Sequence, residues 1–166
     1  MRMRITLGFV IAIVGGSVGL AAADEFKPPP MKDGLWETHS VQTQAGKTVS
    51  DMSIKMCQSK EFTQSSQSLA QEMRKRNQCS SMVSQRSANT IVEETRCAKG
   101  PSADTVIKSV YSNVGDTAAH IEMHQQKGNS DNVTVMDTKY VGSCPAGMKP
   151  GDVIMPDGKV FSGGGK

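Results

Sequence analysis

Three side chains that can ligate a metal follow one another at alternate positions, as His120, Glu122 and His124. On a strand they would share one face, but positions four apart are separated by about 13 Å. The two histidines therefore converge poorly on one ion, whereas a helix would bring them together. We expect these residues to form the solvent face of a strand whose other face carries Ile121 and Met123. They remain weak candidates for a metal site.

Methionine offers a second route to a metal, because thioethers bind copper(I). The chain has 11 methionines, and Met52, Met56, Met123 and Met136 lie at alternate positions of strand-like runs. Flexible thioethers at such positions also fill a core that is poor in aromatic residues. We favour core filling, and keep copper or zinc binding as the alternative function.

Residues 24–166 show no pattern typical of a nucleophilic enzyme. They contain neither Gly-x-Ser-x-Gly nor Ser-x-x-Lys. Glu93 and Glu94 are adjacent, so on a strand they point to opposite faces and cannot act together on one substrate. We expect a protein that is not an enzyme and that needs no cofactor.

The single tryptophan, Trp36, lies in the run Gly34–Glu37, which opens the first strand-like segment. Its indole could line a ligand pocket. A lone tryptophan at the start of a small sheet is more typical of a core anchor, because a large ring buries much apolar area. We favour the core anchor.

Residues 1–23 have the form of a secretory signal peptide. Arg2 and Arg4 give a basic start, residues 5–20 are uncharged and mostly apolar, and three alanines end at Ala23, after which we predict cleavage. An uncleaved membrane anchor is the alternative, although the apolar segment is short for a span. We expect export to the periplasm, without stable membrane insertion once the leader is removed. Residues 24–33 contain three consecutive prolines and should form a flexible arm.

The charge balance argues against one class of partner. The chain has 19 basic and 16 acidic residues, and loss of Arg2 and Arg4 brings these numbers closer together. Aromatic residues make up 4% of the chain, whereas nucleic-acid surfaces combine wide basic patches with stacking aromatics. We expect no nucleic-acid partner, but an unidentified ligand or protein of the cell envelope.

Four cysteines beyond the leader indicate disulfides formed in an oxidising compartment. They are Cys57, Cys79, Cys97 and Cys144, and three pairings are possible. We expect Cys57 to pair with Cys79, because they bracket a helical segment, and Cys97 with Cys144, because they end two strand-like runs. A reactive thiol is the alternative, but the chain has no Cys-x-x-Cys.

Residues 34–144 are predicted to form a mainly β domain of the α+β class. Short strand-like runs joined by turn residues predict an antiparallel meander of about seven strands, as a curved sheet or a partly closed barrel. The strands are expected at residues 34–44, 48–57, 81–86, 89–97, 104–111, 117–126 and 132–141. One helix should follow strand two, from about Lys60 to Arg76, with Ser59 as its cap. Residues 145–166 are rich in turn residues and should form an irregular tail.

Several of these features occur together in one known family. They are the Pro-rich lead-in, the Gly34–Glu37 run, a strand that ends at Cys57 before a polar helix, and the final Tyr140-Val141-Gly142-Ser143-Cys144-Pro145. Over about residues 31–144 the sequence resembles the bacterial envelope family catalogued as domain of unknown function three-six-one-seven. That family often ends its last strand in Gly-Asp-Cys, where this chain has serine before Cys144. The resemblance implies export to a Gram-negative periplasm and a four-cysteine frame, but no established activity.

The function that these observations favour is that of an exported, disulfide-stabilised binding or interaction module. The open face or mouth of the sheet could take an apolar or envelope-derived ligand, and a free strand edge could take a protein.

Overall fold

The computed structural model describes residues 31–87, 89–112 and 114–163. The predicted leader and most of the predicted arm lie outside these residues. Within them the chain forms α1 (Lys60–Arg76) and the strands β1 (Gly34–Gln44), β2 (Lys47–Gln58), β3 (Cys79–Arg86), β4 (Thr90–Cys97), β5 (Val106–Ser112), β6 (Ala118–Lys127), β7 (Ser130–Gly142), β8 (Val153–Ile154) and β9 (Val160–Phe161).

The strands form one antiparallel sheet in the order β3-β4-β5-β6-β7-β1-β2-β8-β9. This confirms the predicted mainly β class, with its one helix after the second strand. Strands β3 to β7 form a meander, and the β1–β2 hairpin is added beside β7. The sheet is open, with β3 and β9 at its ends. The strand number exceeds the prediction because the tail, expected to be irregular, contributes β8 and β9.

The β1–β2 hairpin follows from its turn and from its alternating pattern. Ala45 and Gly46 both have positive φ, at 49° and 75°, which is the geometry that gives a two-residue hairpin turn the twist of its strands. Trp36 lies opposite Met56, and Ser40 lies opposite Met52. The apolar residues of β2 therefore share the face of Trp36, as the period of two predicts.

Helix α1 begins and ends where the sequence predicts. The Ser59 side chain accepts a hydrogen bond from the Phe62 N–H at 3.2 Å, and Arg74, Lys75 and Arg76 occupy the last turn. A helix of 17 residues is about 26 Å long, close to the roughly 29 Å that six strand spacings take up. Such a length lets α1 carry the chain across the sheet from β2 to β3.

The first turn of α1 is held by the tail. The Cys57 N–H donates to the Asp152 carbonyl at 2.9 Å, and the Gly151 N–H donates to the Cys57 carbonyl at 2.7 Å. The Phe62 ring lies so close to Gly151 that a Cβ there would be 2.6 Å from the ring, and the φ of +93° also favours glycine. The tail thus fixes the junction between β2 and α1.

The disulfide pairing expected from the sequence is wrong, since Cys57 bonds Cys144 and Cys79 bonds Cys97. Strand β1 lies between β2 and β7, and Leu35 faces both Cys57 and Gly142, which brings Cys144 near Cys57. Strand β3 pairs directly with β4, so Cys79 lies opposite Cys97. The length of α1 holds Cys57 and Cys79 apart, beyond the reach of a disulfide.

Burial is concentrated at few positions. The buried apolar side chains of the described residues are Trp36, Cys57 and Val92, and the buried polar ones are Glu93, Thr95, Thr105, Ser109 and Asp152. Large apolar side chains stay exposed on β2, β3, α1 and the tail, including Met52, Leu69, Met73, Met82 and Phe161. Much of the apolar surface therefore has no cover from the described chain.

Candidate functional site: the Trp36 face of the sheet

The register assigns the strand residues to two faces, because directly opposite residues lie on the same side of the sheet. We call the side that carries Trp36, Ser40 and Glu93 the Trp36 face. The side that carries His39, His120 and His124 is the histidine face. The two faces differ in chemistry, and the Trp36 face is the more apolar.

An apolar row crosses the Trp36 face through residues that lie directly opposite one another on successive strands. Its members, from β2 to β4, are Met52, Ser40, Met136, Ile121, Tyr111 and Ile91. Two thioethers and two isoleucines make this row both apolar and adaptable in shape.

The described protein does not cover this row. Met52 is exposed, and the other members are half-buried. Helix α1 reaches over the same face through Arg74, yet none of its residues is buried, and Leu69 and Met73 are more than half exposed. The helix therefore leaves apolar surface of both the row and α1 open to solvent.

The end of the face at Trp36 is closed. Trp36 is 2% exposed, and its indole N–H donates to the Lys32 carbonyl at 2.8 Å. The Tyr140 ring packs edge-on with ring centroids 5.9 Å apart, and the Lys32 ammonium lies 4.5 Å from the centre of the Tyr140 ring. Trp36 thus acts as a core side chain, and its burial leaves no surface for a ligand.

The other end of the face carries a polar group that we call the Glu93 cluster, formed by Arg74, Ser81, Glu93, Thr95 and Tyr111. The Arg74 Nη1 donates to the Glu93 Oε1 at 3.3 Å and to the Ser81 Oγ at 3.2 Å. The Tyr111 hydroxyl donates to the Glu93 Oε2 at 3.4 Å, and the Ser81 and Thr95 hydroxyls lie 2.8 Å apart. These contacts compensate the buried carboxylate of Glu93.

Burial raises the pKa of Tyr111, and the negative charge of Glu93 raises it further. The hydroxyl therefore remains a hydrogen-bond donor to the carboxylate at neutral pH. Tyr111 belongs to both the apolar row and the Glu93 cluster, so the two features are continuous.

Sequence reasoning missed the Glu93 cluster. Glu93 and Glu94 do point to opposite faces, as predicted, and Glu94 pairs with Arg96 at 2.7 Å. The alternation therefore puts the Glu93 carboxylate on the Trp36 face. The signal in the sequence was the alternation Ile91, Glu93, Thr95, because residues at alternate positions of a strand share a face and Glu93 therefore lies on the same face as the apolar Ile91.

On the histidine face the predicted metal candidates do not come together as a group. His124 is hydrogen-bonded to Glu122, whereas His120 bonds the Asp137 carboxylate through Nδ1 at 2.6 Å. His39, on β1, is opposite Asp137 but bonds Asp51 at 2.8 Å. Across residues 31–87, 89–112 and 114–163, no set of three or more His, Cys, Asp and Glu side chains could hold a metal ion.

A hollow of about 330 Å³ lies on the histidine face beside Glu37, His39, Ser53, Asp137, Thr138 and Lys139. The Lys139 ammonium lies 3.0 Å from the Glu37 carboxylate and the Lys55 ammonium lies 3.9 Å from it. The hydrogen bond from Lys139 lowers the pKa of Glu37. The charges of this hollow are thus paired with one another, which weakens it as a ligand site.

Within the described part of the chain, no helix has the length and apolar character needed to cross a membrane.

Comparison with curated proteins and with solved structures found no match. A family model described as "Protein of unknown function (DUF3617)" matches residues 31–144. The match spans β1 to β7, and therefore includes the apolar row, α1 and all four cysteines. The chain belongs to this family.

Proposed function

We propose that the protein is an exported, non-catalytic binding module of the periplasm, and that the Trp36 face takes up an apolar ligand. The observation that carries this proposal is the apolar row from Met52 to Ile91, which the described chain leaves uncovered. Contiguous exposed apolar surface is uncommon on soluble monomers and marks sites of interaction.

The ligand class follows from the form of the row. It is a single line of side chains that crosses five strand spacings, about 24 Å. A stable protein interface needs about 800 Å² on each partner, so this row suits a small apolar molecule better than a folded protein. Its methionines adapt to ligands of different shape.

Two features support the location. The first 23 residues have the order of a signal peptide. The two disulfides are stable in an oxidising compartment, and the periplasm is one.

Native mass spectrometry of protein purified from periplasm tests the proposal directly, because a retained apolar ligand would appear as an added mass. Binding of the neutral fluorophore N-phenyl-1-naphthylamine provides the quantitative assay. The double variant Met52→Gln, Met136→Gln should weaken binding about tenfold or more, because it places two amides in the row.

Val49→Gln is the matched control, since Val49 is an exposed apolar residue of the same strand as Met52 and lies outside the row. Equal binding by the double variant and the wild type would place the ligand elsewhere. If the wild type neither retains a ligand nor binds the fluorophore, the apolar binding function is refuted.

A further inference from the structure

We propose that the ligand of the Trp36 face is an anionic amphiphile whose carboxylate or phosphate head binds Arg74 while its apolar chain lies along the row. This inference rests on the proposed function, and it names the head group that the site would select.

The apolar row leads directly to the Glu93 cluster. Tyr111 is a member of the row and donates to Glu93. From Tyr111 to Met52 the row crosses four strand spacings, about 19 Å. That length is comparable with the roughly 15 Å occupied by the acyl chains of one bilayer leaflet. A long chain laid on the row therefore places its head beside the cluster.

Arg74 is the member of the cluster that a ligand can reach. The Glu93 side chain is 4% exposed, whereas the Arg74 side chain is 41% exposed. Arg74 donates to Ser81 and to Glu93 through Nη1. A guanidinium has five N–H donors in a planar fork, so donors on Nε and Nη2 can bind a carboxylate or a phosphate.

The local charge favours an anion. Lys75 and Arg76 follow Arg74 in the last turn of α1, and both are exposed. Against these three cations stand the carboxylates of Glu72 and Glu93 and about half a negative charge from the helix C-terminus. A positive excess remains at the open side of the cluster. A cationic head would be repelled there, and Glu93 is too deeply buried to receive it.

The test compares ligands that share a dodecyl chain and differ in their heads: dodecanoate, dodecyl phosphate, dodecanol and dodecyltrimethylammonium, each below the concentration at which it forms micelles. Displacement of N-phenyl-1-naphthylamine reports binding. We expect at least one of the two anions to bind about tenfold more tightly than dodecanol, and the cation to bind most weakly. The ratio of the dissociation constants of dodecanoate and dodecyl phosphate identifies the preferred head group.

Arg74→Gln should remove the preference for the anion over dodecanol while dodecanol still binds. Lys47→Gln is the matched control and should keep the preference, because it removes the same charge from an exposed residue at the start of β2, outside the Glu93 cluster and the last turn of α1. If Arg74→Gln does not fold because Glu93 loses its partner, the double variant Arg74→Gln, Glu93→Gln removes both charges together and gives the same readout.

The outcomes separate the two proposals. Dodecanol bound as tightly as both anions, a preference for the cation, or a preference that survives loss of Arg74 overturns the head-group inference and leaves the apolar site standing. Failure of all four ligands to bind overturns the apolar site itself.

Discussion

At the scale of single residues, two buried side chains define opposite ends of one face. Trp36 is enclosed by Lys32 and Tyr140 and closes the sheet at one end. Glu93 is buried at the other end, where Arg74 and Tyr111 supply its hydrogen bonds. A buried indole mainly adds apolar burial, whereas a buried carboxylate is tolerated only with its partners. The first residue therefore serves stability, and the second sets the polarity of the candidate site.

Replacing Trp36 with alanine should lower the free energy of unfolding by about 3 to 5 kcal/mol, because it removes a fully buried ring and leaves a cavity. Urea unfolding followed by circular dichroism measures the loss. Trp36→Phe is the control, since it keeps a ring but loses the hydrogen bond to Lys32, and should cost less. An unchanged stability in Trp36→Ala would mean that the indole lies at the surface.

Tyr111 should ionise above its ordinary pKa of about 10, because burial and the Glu93 charge both disfavour the tyrosinate. The chain has two tyrosines, so ultraviolet titration of Tyr140→Phe isolates Tyr111. In the unfolded state Tyr111 ionises at the lower pH, so this group stabilises the fold below about pH 10 and the contribution is lost as the pH rises further.

The control for Tyr111 is the Tyr140→Phe variant unfolded in concentrated urea, where the midpoint of the ultraviolet titration should return to about pH 10. Adding Glu93→Gln should lower the folded midpoint, since it removes one of the two causes. Identical midpoints with and without urea would show that Tyr111 is not held in a buried environment.

At the scale of elements, α1 is a crossover that is fixed at its ends and loosely packed between them. Ser59 caps its start, Phe62 packs on Gly151, and Arg74 reaches the sheet near its end. The helix buries no residue, so capping and end contacts carry more of its stability than packing does.

Ser59→Ala should destabilise the protein by about 0.5 to 2 kcal/mol, because the Phe62 N–H loses its acceptor. Ser65→Ala is the control: Ser65 is an exposed residue inside the same helix, where alanine is the better helix former. Urea unfolding of both variants measures the difference. An equal effect of the two changes would mean that the cap contributes nothing specific.

At the scale of the whole molecule, the disulfides join the ends of the crossover to the sheet. Cys57 precedes α1 and bonds Cys144 beyond β7, while Cys79 follows α1 and bonds Cys97 at the end of β4. A sheet with few buried apolar side chains gains relatively more from such bonds, because its hydrophobic term is small.

Replacing both cysteines of one bond with alanine should destabilise the protein more for Cys57 and Cys144 than for Cys79 and Cys97. The bonds span 87 and 18 residues, which in the chain-entropy picture correspond to about 4.6 and about 3.2 kcal/mol. Urea unfolding of the two double variants gives the order. A non-reduced digest should contain the Cys57–Cys144 and Cys79–Cys97 peptides, and a Cys57–Cys79 peptide would contradict the fold.

Patterns among neighbouring residues were sufficient to predict the helix and the strands, but they were insufficient to predict the Glu93 cluster. The cap at Ser59 and the basic last turn predicted α1. The alternation of Met52, Ile54 and Met56 with polar residues predicted that these three side chains share one face of β2, which the structure shows to be the Trp36 face. The Glu93 cluster, by contrast, joins residues from α1, β3, β4 and β5. Adjacent positions reveal which face a side chain occupies, but not which distant cation will reach it.

The strand periodicity, the helix bounds, the β1–β2 pairing, the family and the presence of disulfides can be read from the amino-acid sequence, because each depends on neighbouring residues or on composition. The position of β1 between β7 and β2, the pairing of the cysteines and the burial of Glu93 beside Arg74 became known from the folded chain. These depend on contacts between residues far apart in the chain, whose formation is set by the packing of the whole sheet.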